Sequence, residues 1–124
     1  VTQWISSTGY FITDLNSFVF DQRARWNMQA LSDCIIYTIK KDSFRELKKH
    51  VPTWTEMEKH FISGCFITME DRVFSHLSLT AEQRYDELFK QNQELFNQVP
   101  LQYLASMLGM TPETFSRIRN KKLS

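Results

Sequence analysis

Hydrophobic and polar positions change rhythm near Lys40. Before it, short runs rich in aromatic and β-branched residues, Tyr10-Phe11-Ile12, Ser17 to Phe20, Trp26 to Leu31 and Cys34 to Ile39, are separated by polar breaks at Thr13-Asp14, Asp21-Gln22-Arg23 and Ser32-Asp33. Runs this short, bounded by turn residues, predict the strands of an all-β roll or barrel rather than a parallel sheet. Four strands do not close a barrel well, and the first begins almost at Val1. The pattern therefore predicts the second half of a roll, and a sequence that is part of a longer chain.

From Asp42 onward every segment has helical spacing. Ser43 with Glu46 has the spacing of a capping box and predicts a short helix ending near His50. Thr53 with Glu56 repeats that spacing after Pro52 and opens a long helix over 53–79. Trp54, Met57, Phe61, Cys65, Met69 and Val73 recur along it at steps of three and four, flanked by Ile62, Phe66 and Phe74. A helix of this length exceeds what so small a core needs, which predicts packing on a second copy as a coiled-coil-like dimer. The alternative is a core helix lying across its own sheet. Thr80 with Gln83 starts another helix, Ala81 to about Gln91, with Tyr85, Leu88 and Phe89 facing inward, and a short turn with Leu95 and Phe96 follows.

The run from Val99 to Lys122 is the most informative. Pro100 suits an early helix position, Leu101, Leu104, Ala105 and Leu108 form one apolar face, and Gly109 stands where a left-handed residue ends a helix. Thr111 is then a good N-cap and Pro112 a good first helical residue, with Phe115 and Ile118 inward. Two helices joined by a short glycine turn predict a helix-turn-helix. Glu113, Thr114, Ser116, Arg117, Arg119, Asn120 and Lys121 fall on the exposed side of the second helix. Arginine can bond a guanine edge in bidentate fashion and glutamate can accept from cytosine. Hydroxyls at a positive helix N-terminus suit phosphate, which Thr111 and Thr114 supply. The plainer reading is a helical hairpin whose Glu113–Arg117 pair is a surface salt bridge of little worth.

Charge sharpens this picture. The chain of 124 residues carries a net charge of +1, but its segments differ: +2 over 1–50, −4 over 51–98 and +3 over 99–124. Cations gathered at one end invite a polyanionic partner for that end, although charge alone fits a solvated basic tail better. At 42% hydrophobic and 23% charged residues the composition is that of a soluble globular chain, and no run approaches a membrane span. Cys34 and Cys65 are too few for a disulfide framework and suit a reducing, cytoplasmic setting, with Cys65 expected as a buried thiol on the helix stripe.

The closing run resembles the Crp/Fnr family of bacterial transcription regulators, and most closely its short-tailed members common in Bacteroidetes. The likeness rests on Val99-Pro100-Leu101, Leu104-Ala105, Gly109, Thr111-Pro112-Glu113-Thr114 and Ser116-Arg117-Ile118-Arg119. It implies that the strands are the latter part of a cyclic-nucleotide-binding roll and that residues 53–79 are the dimer helix. It also implies that Glu113 and Arg117 read bases while Gln102, Thr111 and Thr114 touch phosphate. Many members have arginine where this chain has Pro112, so that base contact is missing, and no β-hairpin wing follows before Ser124. The family's phosphate cassette falls near Asp14, Arg23 and Arg25, with Ala24 in place of its arginine. Without a bidentate arginine a buried cyclic phosphate loses its strongest partner, so these three are weak ligand candidates and no cofactor is expected.

Other chemistry finds little support. His50, His60, His76, Cys34 and Cys65 show no paired metal-ligand spacing, and no nucleophile motif or phosphate-cradling glycine loop occurs. An enzyme is not expected. The sequence therefore predicts an α+β fold in three parts: a partial sensor roll over 1–52, a dimerisation helix over 53–79 and a helix-turn-helix domain over 80–124. The expected function is a homodimeric, sequence-specific regulator binding a two-fold site on double-stranded DNA under control of the sensor, with RNA polymerase as a further partner and no membrane. The alternative is a small-ligand sensor module whose basic end is vestigial or binds an acidic protein.

Overall fold

A computed structural model describes residues 1–124. The chain is all helical: 62% of residues lie in helices and none in a strand. In order these are α1 (Leu15–Phe20), α2 (Lys41–His50), α3 (Trp54–Ser78), α4 (Ala81–Gln91), α5 (Gln93–Gln98), α6 (Leu101–Met107) and α7 (Pro112–Leu123). The expected α+β fold with a half β-roll is therefore wrong. Tyr10-Phe11-Ile12, Trp26 to Leu31 and Cys34 to Ile39 run without regular structure, and all of Ser17 to Phe20 belongs to a helix.

The physical reason lies in what strands require. β-propensity mostly measures packing against cross-strand neighbours, and short strands gain little outside a multi-stranded sheet with a covered face. In this chain Ile35, Ile36 and Tyr37 stand exposed with nothing beside them to supply that face. Local capping decides Leu15–Phe20 instead. The Asp14 carboxylate accepts from Ser17 N at 2.9 Å, closing the first turn of α1, and its other oxygen accepts from Arg25 N at 2.9 Å. A side chain that satisfies the free N–H of a first turn stabilises helix against a pairing the sequence does not find. Asp21, left-handed with φ 56°, ends α1.

The chain divides into two compact units, Ile12–Glu70 and Val1–Phe11 with Asp71–Ser124. In the first, Phe18, Phe44 and Trp54 form an edge-to-face chain with ring centroids 5.0 and 5.2 Å apart. Lys41 pairs with Asp21, and Lys48 with Glu58 at 2.6 Å. Asp14 is the one buried residue of this unit, so it has no buried apolar core. The Ser43 capping box does not form: α2 starts at Lys41, and its N-cap Lys40 makes no side-chain cap bond. The Thr53 hydroxyl likewise faces the Met57 sulfur at 3.8 Å rather than the backbone.

Helix α3 is a single 25-residue helix with no buried residue. Cys65, expected to be buried, is exposed. Sequence spacing explains why no fixed apolar face exists. After Met57 the row Phe61, Cys65, Met69, Val73, Leu77 advances by four at every step. Each such step turns about 40° past a full helical turn, so the row winds through about 160° from Phe61 to Leu77. Alternating threes and fours would have held it on one side.

The second unit holds all the buried apolar residues. Tyr85, Leu95, Leu104, Ala105, Leu108, Phe115 and Ile118 make one core, with Ile5, Leu88, Phe96, Val99, Leu101 and Met110 packed around it. Helix α6 packs on α7, and α4 on α5 and α7. Tyr85 meets Phe96 and Phe115 edge-on at 5.2 and 5.1 Å, geometry that aromatic rings favour. Fully burying side chains such as Phe115 and Leu104 stabilises the unit by about 1.5–3 kcal/mol each.

Candidate nucleic-acid interface

The turn between α6 and α7 sets the geometry of the candidate interface. Gly109 adopts φ +66°. Its N–H donates to Ser106 O at 3.2 Å and the Met110 N–H to Ala105 O at 3.0 Å, the two-bond pattern of a Schellman cap. Glycine is needed here because a Cβ in the left-handed region crowds the following carbonyl. A Cβ at this position would also lie 3.3 Å from His76 Cδ2. One residue further, the Thr111 hydroxyl accepts from Thr114 N at 3.2 Å and Pro112 occupies the first helical position, so α7 starts at once.

Two arginines hold this turn from behind. Arg84 Nε donates to Leu108 O at 2.9 Å and its Nη1 to Leu79 O at 2.7 Å. Arg72 donates to Met107 O at 3.2 Å and to Gln3 O, with its guanidinium 5.5 Å from the Trp4 ring centre. Cations on the last carbonyls of a helix satisfy both the orphan acceptors and the helix dipole. Neither arginine carried a recognisable signal in the sequence, because the carbonyls of α6 that they hold, Met107 O and Leu108 O, lie 35 and 24 residues away along the chain.

Burying Phe115 and Ile118 turns the opposite side of α7 outward. Thr111, Glu113, Arg117, Arg119, Asn120 and Lys121 are exposed, Thr114 and Ser116 half-buried, and Gln102 is exposed near the start of α6. Glu113 and Arg117 do not pair, and Arg117 and Arg119 form no ion pair at all. Glu113 is held below the usual carboxylate range by its own backbone N–H and then by the Thr111 hydroxyl. Thr111 is thus already engaged as a cap, with its hydroxyl 3.2 Å from that of Thr114. Lys121 is engaged too: its Nζ lies 3.2 and 3.3 Å from the Glu82 oxygens. Lys122 lies 2.8 Å from Asp86 and 3.3 Å from Glu82. Reading the +3 of the last segment by itself missed these partners. The signal was present in Glu82 and Asp86, four apart and hence on one face of α4.

An open groove of about 420 Å³ runs between the start of α4 and α7, lined by Thr80, Glu82, Thr114, Arg117, Ile118 and Lys121. The weak ligand candidates are not gathered into a comparable site. Asp14 is committed to the amides of Ser17 and Arg25, and Arg25 lies 5.8 Å from the Trp26 ring centre. Arg23 is exposed. No helix is long and apolar enough to cross a membrane. No family model, curated protein or solved structure matches the chain.

Proposed function

We propose that the chain is a sequence-specific DNA-binding regulator that reads the major groove with α7. The observation that carries this reading is the pairing of a rigid turn with a free arginine opposite the buried side of α7. Gly109, Thr111 and the buried Phe115 fix α7 on α6, while Arg117, on the side away from Phe115 and Ile118, is exposed without a carboxylate partner. An exposed, unpaired arginine with Thr114 and Asn120 three residues to either side along α7 suits bases and phosphates. The likeness of residues 99–119 to Crp/Fnr regulators supports the same reading.

The partner we propose for α3 is a second copy, because Met57, Phe61, Phe66, Met69 and Val73 are each half or more exposed. A row at steps of four favours helices that cross at about −50° rather than a parallel coiled coil. Two copies then present two α7 helices to a two-fold site, with half-sites about 34 Å apart.

Replacing Arg117 tests base reading directly. Arg117→Ala is expected to cost about 1–3 kcal/mol on a preferred duplex and to relax one base position. Fluorescence anisotropy on preferred and scrambled duplexes measures both. Equal losses on the two would refute base reading by this residue.

A further inference from the structure

The two C-terminal lysines are neutralised within their own unit. Glu82 and Asp86 stand one turn apart on α4, and between them hold Lys121 Nζ at 3.2 Å and Lys122 Nζ at 2.8 and 3.3 Å. Arg117 and Arg119, on the same helix, have no such partner. Glu82 also shares a groove with Thr114, Arg117 and Lys121, so its carboxylate lies at the edge of the face turned outward.

We propose that Glu82 and Asp86 are specificity-determining residues, an internal counter-charge that withholds Lys121 and Lys122 from sequence-blind contact with DNA phosphates. This inference rests on the DNA reading above. A lysine contacts any phosphate equally well, and its gain is the counterions it releases. Here the ammonium groups already have carboxylate partners, so a phosphate must displace one carboxylate and then sit near it. The arginines bear no such penalty. Discrimination between sequences rises when the contacts common to all sequences are weakened and those to bases are left alone. The geometry meets that condition: the braced cations are the two lysines, and the free ones are the arginines suited to bidentate base contacts.

The test is the affinity of the full chain for a scrambled duplex across a salt series, for wild type, Glu82→Gln, Asp86→Asn and Glu94→Gln. Glu94 is an exposed carboxylate on α5 without an ion pair and controls for net charge. Glu82→Gln is expected to tighten binding about two- to fivefold at low salt, in keeping with exposed pairs. It should also steepen the log–log salt slope by about one unit. Asp86→Asn, which removes the shorter of the two pairs of Lys122 and leaves the one with Glu82, should shift both readouts the same way by less. Thermal unfolding of each variant separates a charge effect from a loss of fold. Tightening by Glu94→Gln as large as that by Glu82→Gln overturns the proposal in favour of net charge. Unchanged or weaker binding by a folded Glu82→Gln chain overturns it while leaving the DNA reading standing. No binding by any variant at low salt removes the DNA reading and this inference together.

Discussion

Gly109→Ala strikes the turn on which the account depends. Two costs can be worked from the structure. A non-glycine residue at φ +66° carries a left-handed penalty of about 1–2 kcal/mol. The added Cβ also meets the His76 ring, 3.3 Å from Cδ2 and 3.4 Å from Nε2. That ring is restrained, since its Nδ1 lies 2.9 Å from the Arg72 carbonyl oxygen, so yielding disturbs a hydrogen bond of about 1 kcal/mol. The sum is about 2–3 kcal/mol. For a domain of this size that lowers Tm by roughly 8–12 °C. Thermal unfolding followed by far-ultraviolet circular dichroism reads the loss, and the double variant with His76→Ala divides it. Removing the ring should recover the contact part, up to about 1 kcal/mol, and leave the backbone part. A Gly109→Ala chain that melts within a degree or two of wild type would refute the left-handed cap. A loss untouched by His76→Ala would refute the ring contact alone.

Other perturbations address the rest of the fold. Phe115→Ala empties a fully buried position and is expected to cost about 3–5 kcal/mol, melting the unit that holds α4 to α7 first; a change under about 1 kcal/mol by denaturant titration would contradict the packing. Arg84→Met keeps the apolar stem but removes donors to Leu108 O and Leu79 O, for an expected loss of about 2 kcal/mol and faster amide exchange around Gly109. Asp14 is held below the usual carboxylate range chiefly by the Arg25 N–H and then by the Ser17 N–H. A depressed folded value means its stabilisation is complete above the ordinary aspartate value and is lost as pH falls through the lower, folded one. The Ser17 and Arg25 amide resonances should therefore hold steady until below about pH 4 and then move together. A transition at or above the ordinary value, or none different from that of Asp14→Asn, would contradict the capping role.

The contrast between the two halves of the chain explains what was legible in its sequence. The helices from Thr80 onward are written in local chemistry. The Thr80–Gln83 capping box forms with both bonds in place, and Gly109, Thr111 and Pro112 each act within a few residues of themselves. Leu104, Ala105, Phe115 and Ile118 are buried as their spacing requires. Before Lys40 the signals were β-branched and aromatic runs, whose structure depends on neighbours far along the chain or outside it. There a single aspartate cap at Asp14 outweighed the propensity of Ser17 to Phe20. The long helix was visible in its length, but its winding row of fours was not the single face expected of it. On α7, the exposed residues followed from the buried ones, whereas the Glu82 and Asp86 partners of the lysines required the third dimension.

Selection of bound sequences from a random duplex pool, with the full chain near physiological salt, tests the central claim most directly. The account predicts an enriched two-fold motif whose half-sites lie about one helical turn apart, as two α7 helices in successive major grooves require. A pool left flat, with binding that vanishes as salt rises, would show only the sequence-independent phosphate term and contradict the account.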